Sequence, residues 1–217
     1  MKKLLLVIIV LLLCGCQNTI DIKTQLDNAF ATEQEPASRA NNYTNYIEYY
    51  LAGDVNEESN DELSFGFSSY DCKFILNINV SNIINKEYYG NLTLVDEGFF
   101  DENKLIYERA GVIKNLNSET LNYVFKAYQY DNSCLMHLMS DEVNIYGSGA
   151  IDKGELLASK MLQLAKGNNV HNDKIIADFS SKDVIDYQKT TVNLFENIKP
   201  ISGRVEDMKV KDGEVSE

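Results

Sequence analysis

The chain has 217 residues, of which 44% are hydrophobic and 24% are charged. These are ordinary values for a globular protein, and they exclude a chain that is disordered throughout. Its 33 acidic and 20 basic residues give a formal net charge of −13. Such a charge repels the phosphates of nucleic acids and the surface of anionic lipids, so nucleic acid is not an expected partner and cationic partners are favoured.

The first segment has the features of an export signal. Lys2 and Lys3 precede an apolar run over residues 4–13, which is too short to cross a bilayer as a helix. The run ends in Leu13-Cys14-Gly15-Cys16, which resembles the lipobox of bacterial lipoproteins, with Cys14 as a departure from its commonest pattern. The resemblance implies that residues 1–15 are a signal peptide and that a lipid on Cys16 anchors the chain to the extracytoplasmic face of the cell membrane. The alternative is an ordinary cleaved leader without a lipid.

The rest of the chain divides by composition. Residues 16–35 contain the lipidated cysteine and a polar stretch without a sustained apolar period, which we interpret as a flexible tether. Residues 36–200 are predicted to form a single domain, and residues 201–217 a charged C-terminal tail.

Four tyrosines lie close together at the start of this domain: Tyr43, Tyr46, Tyr49 and Tyr50. The spacing of the apolar side chains favours a short amphipathic helix, although the same residues could also be extended. If these tyrosines are exposed together, they form a recognition surface for an envelope protein, a peptide or a glycan. Alternatively, they line the seam between a helix and the sheet.

An acidic loop is predicted over residues 54–62, and strands follow it. At residues 74–80 apolar and other side chains alternate with the period of two that a half-buried strand requires. Further strands are predicted at residues 63–69, 91–96, 104–110, 121–130, 133–139 and 142–146. Because the connections are short, neighbouring strands are expected to be antiparallel, which predicts a meander of about six or seven strands.

Two helices are predicted after the strands. The first covers residues 152–166, with Asp152 as its cap and Leu157 and Met161 in its apolar stripe. The second covers residues 181–197, and its stripe includes Phe195 and Ile198. Both are expected to pack on one face of the sheet, so the predicted fold class is α+β.

No motif in the sequence indicates a specific chemistry. The cysteines and histidines after the leader are Cys72, Cys134, His137 and His171, and their spacing does not support a zinc site. Ser148 lies between two glycines but lacks the frame of a nucleophile elbow, and phosphate-binding loops are absent. We therefore expect no catalytic residue, no metal and no cofactor.

The absence of motifs favours a binding or scaffolding module over an enzyme. Two alternatives stay open: an envelope hydrolase with an unmarked acidic site and, less favoured, a solute-binding protein that works with a transporter. A cavity that holds a carboxylate of strongly shifted pKa would favour the hydrolase. An exposed patch of tyrosines would favour the binding module.

Cys72 and Cys134 are predicted to be free and buried. Alternation places Cys72 on the same face as Phe74, and Cys134 on the same face as Met136, so both thiols should point into the core. In a simple meander, three strands separate the two cysteines, and four strand spacings of about 4.8 Å place them roughly 19 Å apart. A disulfide requires Cα atoms within about 7 Å, so this order forbids the bond.

Overall fold

The computed structural model describes residues 21–90 and 100–180, which contain four helices and ten strands. The helices are α1 (Ile22–Phe30), α2 (Val80–Tyr89), α3 (Gly154–Lys166) and α4 (Asn172–Phe179). The strands are β1 (Asn42–Tyr43), β2 (Ile47–Tyr49), β3 (Asn56–Asp61), β4 (Ser64–Ser69), β5 (Cys72–Ile78), β6 (Leu105–Lys114), β7 (Thr120–Tyr130), β8 (Ser133–Ser140), β9 (Val143–Ala150) and β10 (Asn168–Val170). None of the helices in these two ranges is long and apolar enough to span a membrane.

The main sheet has seven strands, all antiparallel, in the order β3-β4-β5-β9-β8-β7-β6. The structure thus confirms the α+β class and a large antiparallel sheet, but the simple meander is wrong, because β9 lies between β5 and β8. Buried side chains on both faces of β9 explain this central place: Val143 and Ile145 on one face, and Tyr146 and Ser148 on the other. An edge strand would leave one of its long sides open to solvent.

The predicted strand positions agree with β4, β5, β6, β7, β8 and β9 to within a few residues, and the predicted strand at residues 91–96 lies outside the described ranges. The prediction of an acidic loop over residues 54–62 is wrong, because β3 pairs there with β4 at the edge of the sheet. Every residue of β3 is exposed. Its sequence therefore lacks the alternation that marks a half-buried strand, and its charges are typical of a protected edge.

Helix α3 covers the centre of one sheet face, with Leu157 and Met161 fully buried as predicted. The helix approaches β9 closely because Gly147 has no side chain. A Cβ atom there would lie 2.8 Å from Met161 Sδ and 2.9 Å from Leu157 Cδ1. Asp152 does not cap the helix: it lies in a 3-10 turn, and no side-chain bond caps the N-terminus. The second predicted helix, at residues 181–197, with Phe195 and Ile198, lies outside the described ranges.

Helix α1 corrects the interpretation of residues 16–35 as a flexible tether. From Ile22 onward this segment is helical and packs against α3 and β6. Its apolar side chains recur at helical spacing and are buried: Ile22, Leu26, Ala29 and Phe30. Just beyond the helix, Glu33 accepts a hydrogen bond from Arg109 Nη2 of β6 at 2.6 Å, which ties the segment to the sheet.

The two cysteines are buried and free, but their separation differs from the one expected. The register places Cys134 opposite Gly149, and Lys73, the neighbour of Cys72, opposite Ser148. Only β9 therefore lies between the two thiols, and two strand spacings of about 4.8 Å still exceed the reach of a disulfide. Burial raises the pKa of Cys72 to about 11 and that of Cys134 to about 12, so both thiols stay protonated at neutral pH.

Candidate ligand-binding site

The four tyrosines do not form the predicted recognition surface. They lie on β1, β2 and the residues beside these strands, in a second sheet of order β1-β2-β10, so the extended alternative is correct. Tyr43 is 64% exposed and Tyr50 is partly buried, whereas Tyr46 and Tyr49 are buried. The side chains point in different directions because alternate residues of a strand face opposite ways.

The buried tyrosines join elements of the fold. The ring of Tyr49 packs against Phe65 of β4 at 5.4 Å, and its hydroxyl donates to Glu57 Oε2 at 2.5 Å. Tyr46 packs against Phe179 of α4 at 5.4 Å. This arrangement agrees with the alternative interpretation, in which the tyrosines line the seams between elements.

Two further candidate residues, His137 and Ser148, are buried in the main sheet. Cys16 lies outside the described residues. His137 is only 2% exposed, and its ring stacks on Tyr146 at 4.2 Å. Ser148 is buried within β9 and does not stand on a turn. Within residues 21–90 and 100–180, no group of three His, Cys, Asp or Glu side chains could hold a metal ion.

The structure instead shows a cavity of about 330 Å³ where α2 and α4 meet the turn between β8 and β9. Ile83 of α2 and Ile176 of α4 give it apolar walls. Asp141 and Glu142 enter it from the turn, and Asn172 enters it from the first position of α4. A concave site with apolar walls and a few convergent polar groups is the usual form of a small-molecule site.

The turn between β8 and β9 holds the two acids in place. The hydroxyl oxygen of Ser140 accepts from the N–H of Val143 at 3.0 Å and closes the turn. From α2, the side-chain amide of Asn82 donates to the carbonyl oxygen of Asp141 at 2.7 Å. The turn is thus fixed both from within and by the neighbouring helix, and Glu142 is held beside the cavity.

Glu142 is the least satisfied acid of the site. Its side chain is 4% exposed, and its Oε1 accepts from Asn172 Nδ2 at 3.0 Å. Its Oε2 is buried and has no hydrogen-bond partner among the described residues, and the same holds for Asn172 Oδ1. Burial raises the pKa of Glu142, and the hydrogen bond from Asn172, which favours the ionised carboxylate, offsets this only in part.

Asp141 differs from Glu142 because donors already surround it. Its Oδ2 accepts from the backbone N–H of Asn122 at 3.2 Å and lies 3.8 Å from Lys86 Nζ. Lys86 and Glu87 also line the cavity, which therefore has three carboxyl groups and one ammonium group. The excess of acids makes the cavity a place for a positively charged group.

Sequence alone did not reveal this site. Residues 140–141 lie between two predicted strands, and Glu142 begins the second of them. The available signal was a pair of adjacent acids between two strongly apolar strands, although such a pair in a turn is usually solvated.

Comparison with known proteins adds no relative to this description. No family model, no curated protein and no solved structure matches the chain.

The buried carboxyl group leads to a first prediction. Because the folded pKa of Glu142 is raised above its ordinary value of 4.5, the folded state holds a proton that the unfolded state releases as pH rises. The stability that this proton contributes is present below pH 4.5 and is lost as pH rises through the folded pKa. Glu142→Gln, which cannot ionise, should therefore be more stable than the wild type at pH 8 by about 0.5–2 kcal/mol.

Urea denaturation at pH 8 and at pH 4.5 checks this prediction. The advantage of Glu142→Gln should shrink toward the lower pH. The exposed Glu108→Gln on β6 is the matched control, and it should differ from the wild type by less than about 0.5 kcal/mol at either pH. A Glu142→Gln protein that is less stable than the wild type at pH 8 would show that the ionised carboxylate is satisfied in the fold.

Proposed function

We propose that this chain is an extracytoplasmic lipoprotein, anchored to the cell membrane through Cys16, whose domain binds a ligand at the cell envelope and is not an enzyme. The anchor rests on the lipobox resemblance of Leu13-Cys14-Gly15-Cys16. The binding role rests on one observation: Glu142 is buried at the wall of a cavity with an oxygen that no described residue satisfies. Unsatisfied buried acceptors are rare in folded proteins, and a ligand donor is one way to satisfy them.

The ligand is held rather than converted in this proposal. Among residues 21–90 and 100–180, those that line the cavity include no cysteine, serine or histidine, so no usual nucleophile and no imidazole base is present among them. The candidate partner of the domain is an envelope protein, a peptide or a glycan that presents a group small enough for the cavity.

One observation favours a second candidate, the envelope hydrolase. A carboxyl group whose pKa is raised by burial can act as a general acid, as Glu142 would. Its nearest acidic neighbour, Asp141, is engaged by Asn122 and faces Lys86, which suits a structural role better than that of a base. Glu142-dependent turnover of nitrophenyl glycosides or esters by the purified protein would favour the hydrolase over the binding module.

The anchor is tested in bacteria that express the full chain and are fed an alkyne-labelled fatty acid. We expect the wild type to be labelled and to sediment with membranes, and Cys16→Ala to be unlabelled and absent from the membrane fraction. Cys14→Ala is the matched control, because it keeps Gly15 and Cys16 and should be labelled as strongly as the wild type. A Cys16→Ala protein that stays membrane-bound without a lipid would contradict the proposed anchor.

The second C-terminal helix is also part of the proposal. The apolar stripe over residues 181–197 is expected to pack on the same sheet face as α3, with Phe195 and Ile198 buried. Support for it comes from the helical spacing of these side chains and from Pro200, which follows the predicted helix.

A further inference from the structure

The cavity between α2, α4 and the β8–β9 turn offers hydrogen-bond acceptors without matching donors. Glu142 Oε2 and Asn172 Oδ1 are both buried, and neither has a partner among the described residues. The bond from Asn172 Nδ2 to Glu142 Oε1 joins the two side chains, and both residues line the cavity. A single ligand group with two or more N–H donors can satisfy both.

The charge of the cavity selects a cation. Asp141 and Glu87 add to the negative charge of Glu142. Lys86, the one cation among the described lining residues, already lies 3.8 Å from Asp141. An anion would be repelled by this excess of carboxyl groups, and a neutral group would leave the excess charge uncompensated.

Two other kinds of cation fit less well. A divalent metal requires several carboxylate or imidazole ligands, and no suitable group of three occurs in the part of the chain that the structure describes. A quaternary ammonium group has no N–H donor and is usually held by aromatic rings, whereas none of the described residues that line this cavity is aromatic.

The apolar walls indicate what the cation is attached to. Ile83 is 4% exposed and Ile176 is partly buried, and both line the cavity. A saturated carbon chain can pack against these side chains while its charged end reaches Glu142.

We infer that this cavity binds a primary ammonium group on an alkyl stem, with the nitrogen donating to Glu142 Oε2 and Asn172 Oδ1. This inference rests on the proposed binding function and names its ligand class. The group could be carried by a small free amine or by the lysine side chain of a peptide. Both sources present the same ammonium group, and titration with blocked lysine distinguishes them.

Binding is coupled to the ionisation of Glu142. An ammonium group is held by the ionised carboxylate, so protonation of Glu142 removes the charge that binds the ligand. The charged groups around Glu142 are Asp141 in the turn, Lys86 on α2 and Glu119 just before β7. The two acids disfavour its ionisation and Lys86 favours it. Affinity should therefore fall as pH is lowered from 8 to 5.

The test is calorimetric titration of the full-length protein, solubilised in dodecyl maltoside at pH 8. The probes are n-butylamine, tetramethylammonium, 1-butanol and lysine blocked at both termini as an acetyl methylamide. We expect saturable binding of n-butylamine with a Kd below about 1 mM, within the limit for so small a ligand. Tetramethylammonium and 1-butanol should bind at least tenfold more weakly, since one lacks donors and the other lacks charge.

Two variants connect the binding to the site. Glu142→Gln should weaken n-butylamine at least tenfold although it folds more stably, so that the loss cannot be attributed to unfolding. Glu108→Gln on the outer strand β6 removes one acid elsewhere and should change the Kd less than twofold. Equal binding of blocked lysine and n-butylamine would assign a peptide as the source, and much weaker binding of blocked lysine would assign a free amine.

Several results would overturn the inference. It fails if n-butylamine shows no saturable binding, if Glu142→Gln binds it as tightly as the wild type, or if tetramethylammonium binds equally well. Binding of 1-butanol alone, lost in Glu142→Gln, would refute the ammonium class while leaving the cavity as the binding site. None of these outcomes bears on the proposed membrane anchor, because the anchor is tested separately with the Cys14→Ala and Cys16→Ala variants.

Discussion

Leu26→Ala should lower the free energy of unfolding by about 2–5 kcal/mol, because it removes a fully buried side chain and leaves a cavity. Leu26 lies in the middle of α1 and has no exposed surface. Its helix packs against α3, which in turn packs on the sheet. The cost should appear as a lower midpoint in urea denaturation with an unchanged slope.

Lys23→Ala provides the control within the same helix. Lys23 is exposed, and its replacement should change the stability by less than about 0.5 kcal/mol. If Leu26→Ala changed the stability no more than Lys23→Ala does, residues 22–30 would behave as the flexible tether that the sequence predicts, and the packing of α1 would be wrong.

The packing of α1 changes how the proposed anchor would hold the domain. With a lipid on Cys16 and a helix that begins at Ile22, six residue steps separate the membrane from the folded domain. Fully extended, this connection reaches about 20 Å. The domain would then stay close to the lipid headgroups, and its ligand would have to be presented near the membrane surface.

Sequence alone predicted strands β4 to β9 of the main sheet and helix α3 because their side chains follow clear periods. Phe74 and Leu76 alternate with other residues in β5, and Leu157 and Met161 recur at helical spacing in α3. The periodicity of apolar side chains shows which face of a strand or helix is buried, but it does not show which element lies beside it. The alternation of side chains therefore could not predict that β9 lies between β5 and β8.

The candidate site was missed for a related reason. Glu142 is buried only because α2 and α4 close over the turn, and neither helix was predicted. The sequence assigned Val80 to a strand, although Asn79 caps α2 by accepting from the N–H of Asn82. The four tyrosines illustrate the converse: their clustering in sequence suggested a shared surface, and the extended backbone separated them.

The close contact of α3 with β9 supports a prediction on two positions, one in each element. Leu157→Ala should cost about 2–5 kcal/mol, because Leu157 is fully buried beneath the sheet. Gly147→Ala should cost about 1–3 kcal/mol by overpacking, since its new Cβ would lie within 3 Å of both Leu157 and Met161.

The double variant should cost less than the sum of the two single changes, by about 0.5–3 kcal/mol. Shortening Leu157 removes one of the clashing atoms and opens space into which the Met161 side chain can move, so the methyl group at position 147 fills part of the cavity instead of overpacking it. Gly53→Ala is the control partner, because nothing lies within 4 Å of a Cβ at position 53, and its effect should add to that of Leu157→Ala. All variants are compared by urea denaturation at one pH. Strict additivity of Gly147→Ala and Leu157→Ala would mean that α3 does not rest on β9 at this glycine, and the packing that places β9 at the centre of the sheet would have to be revised.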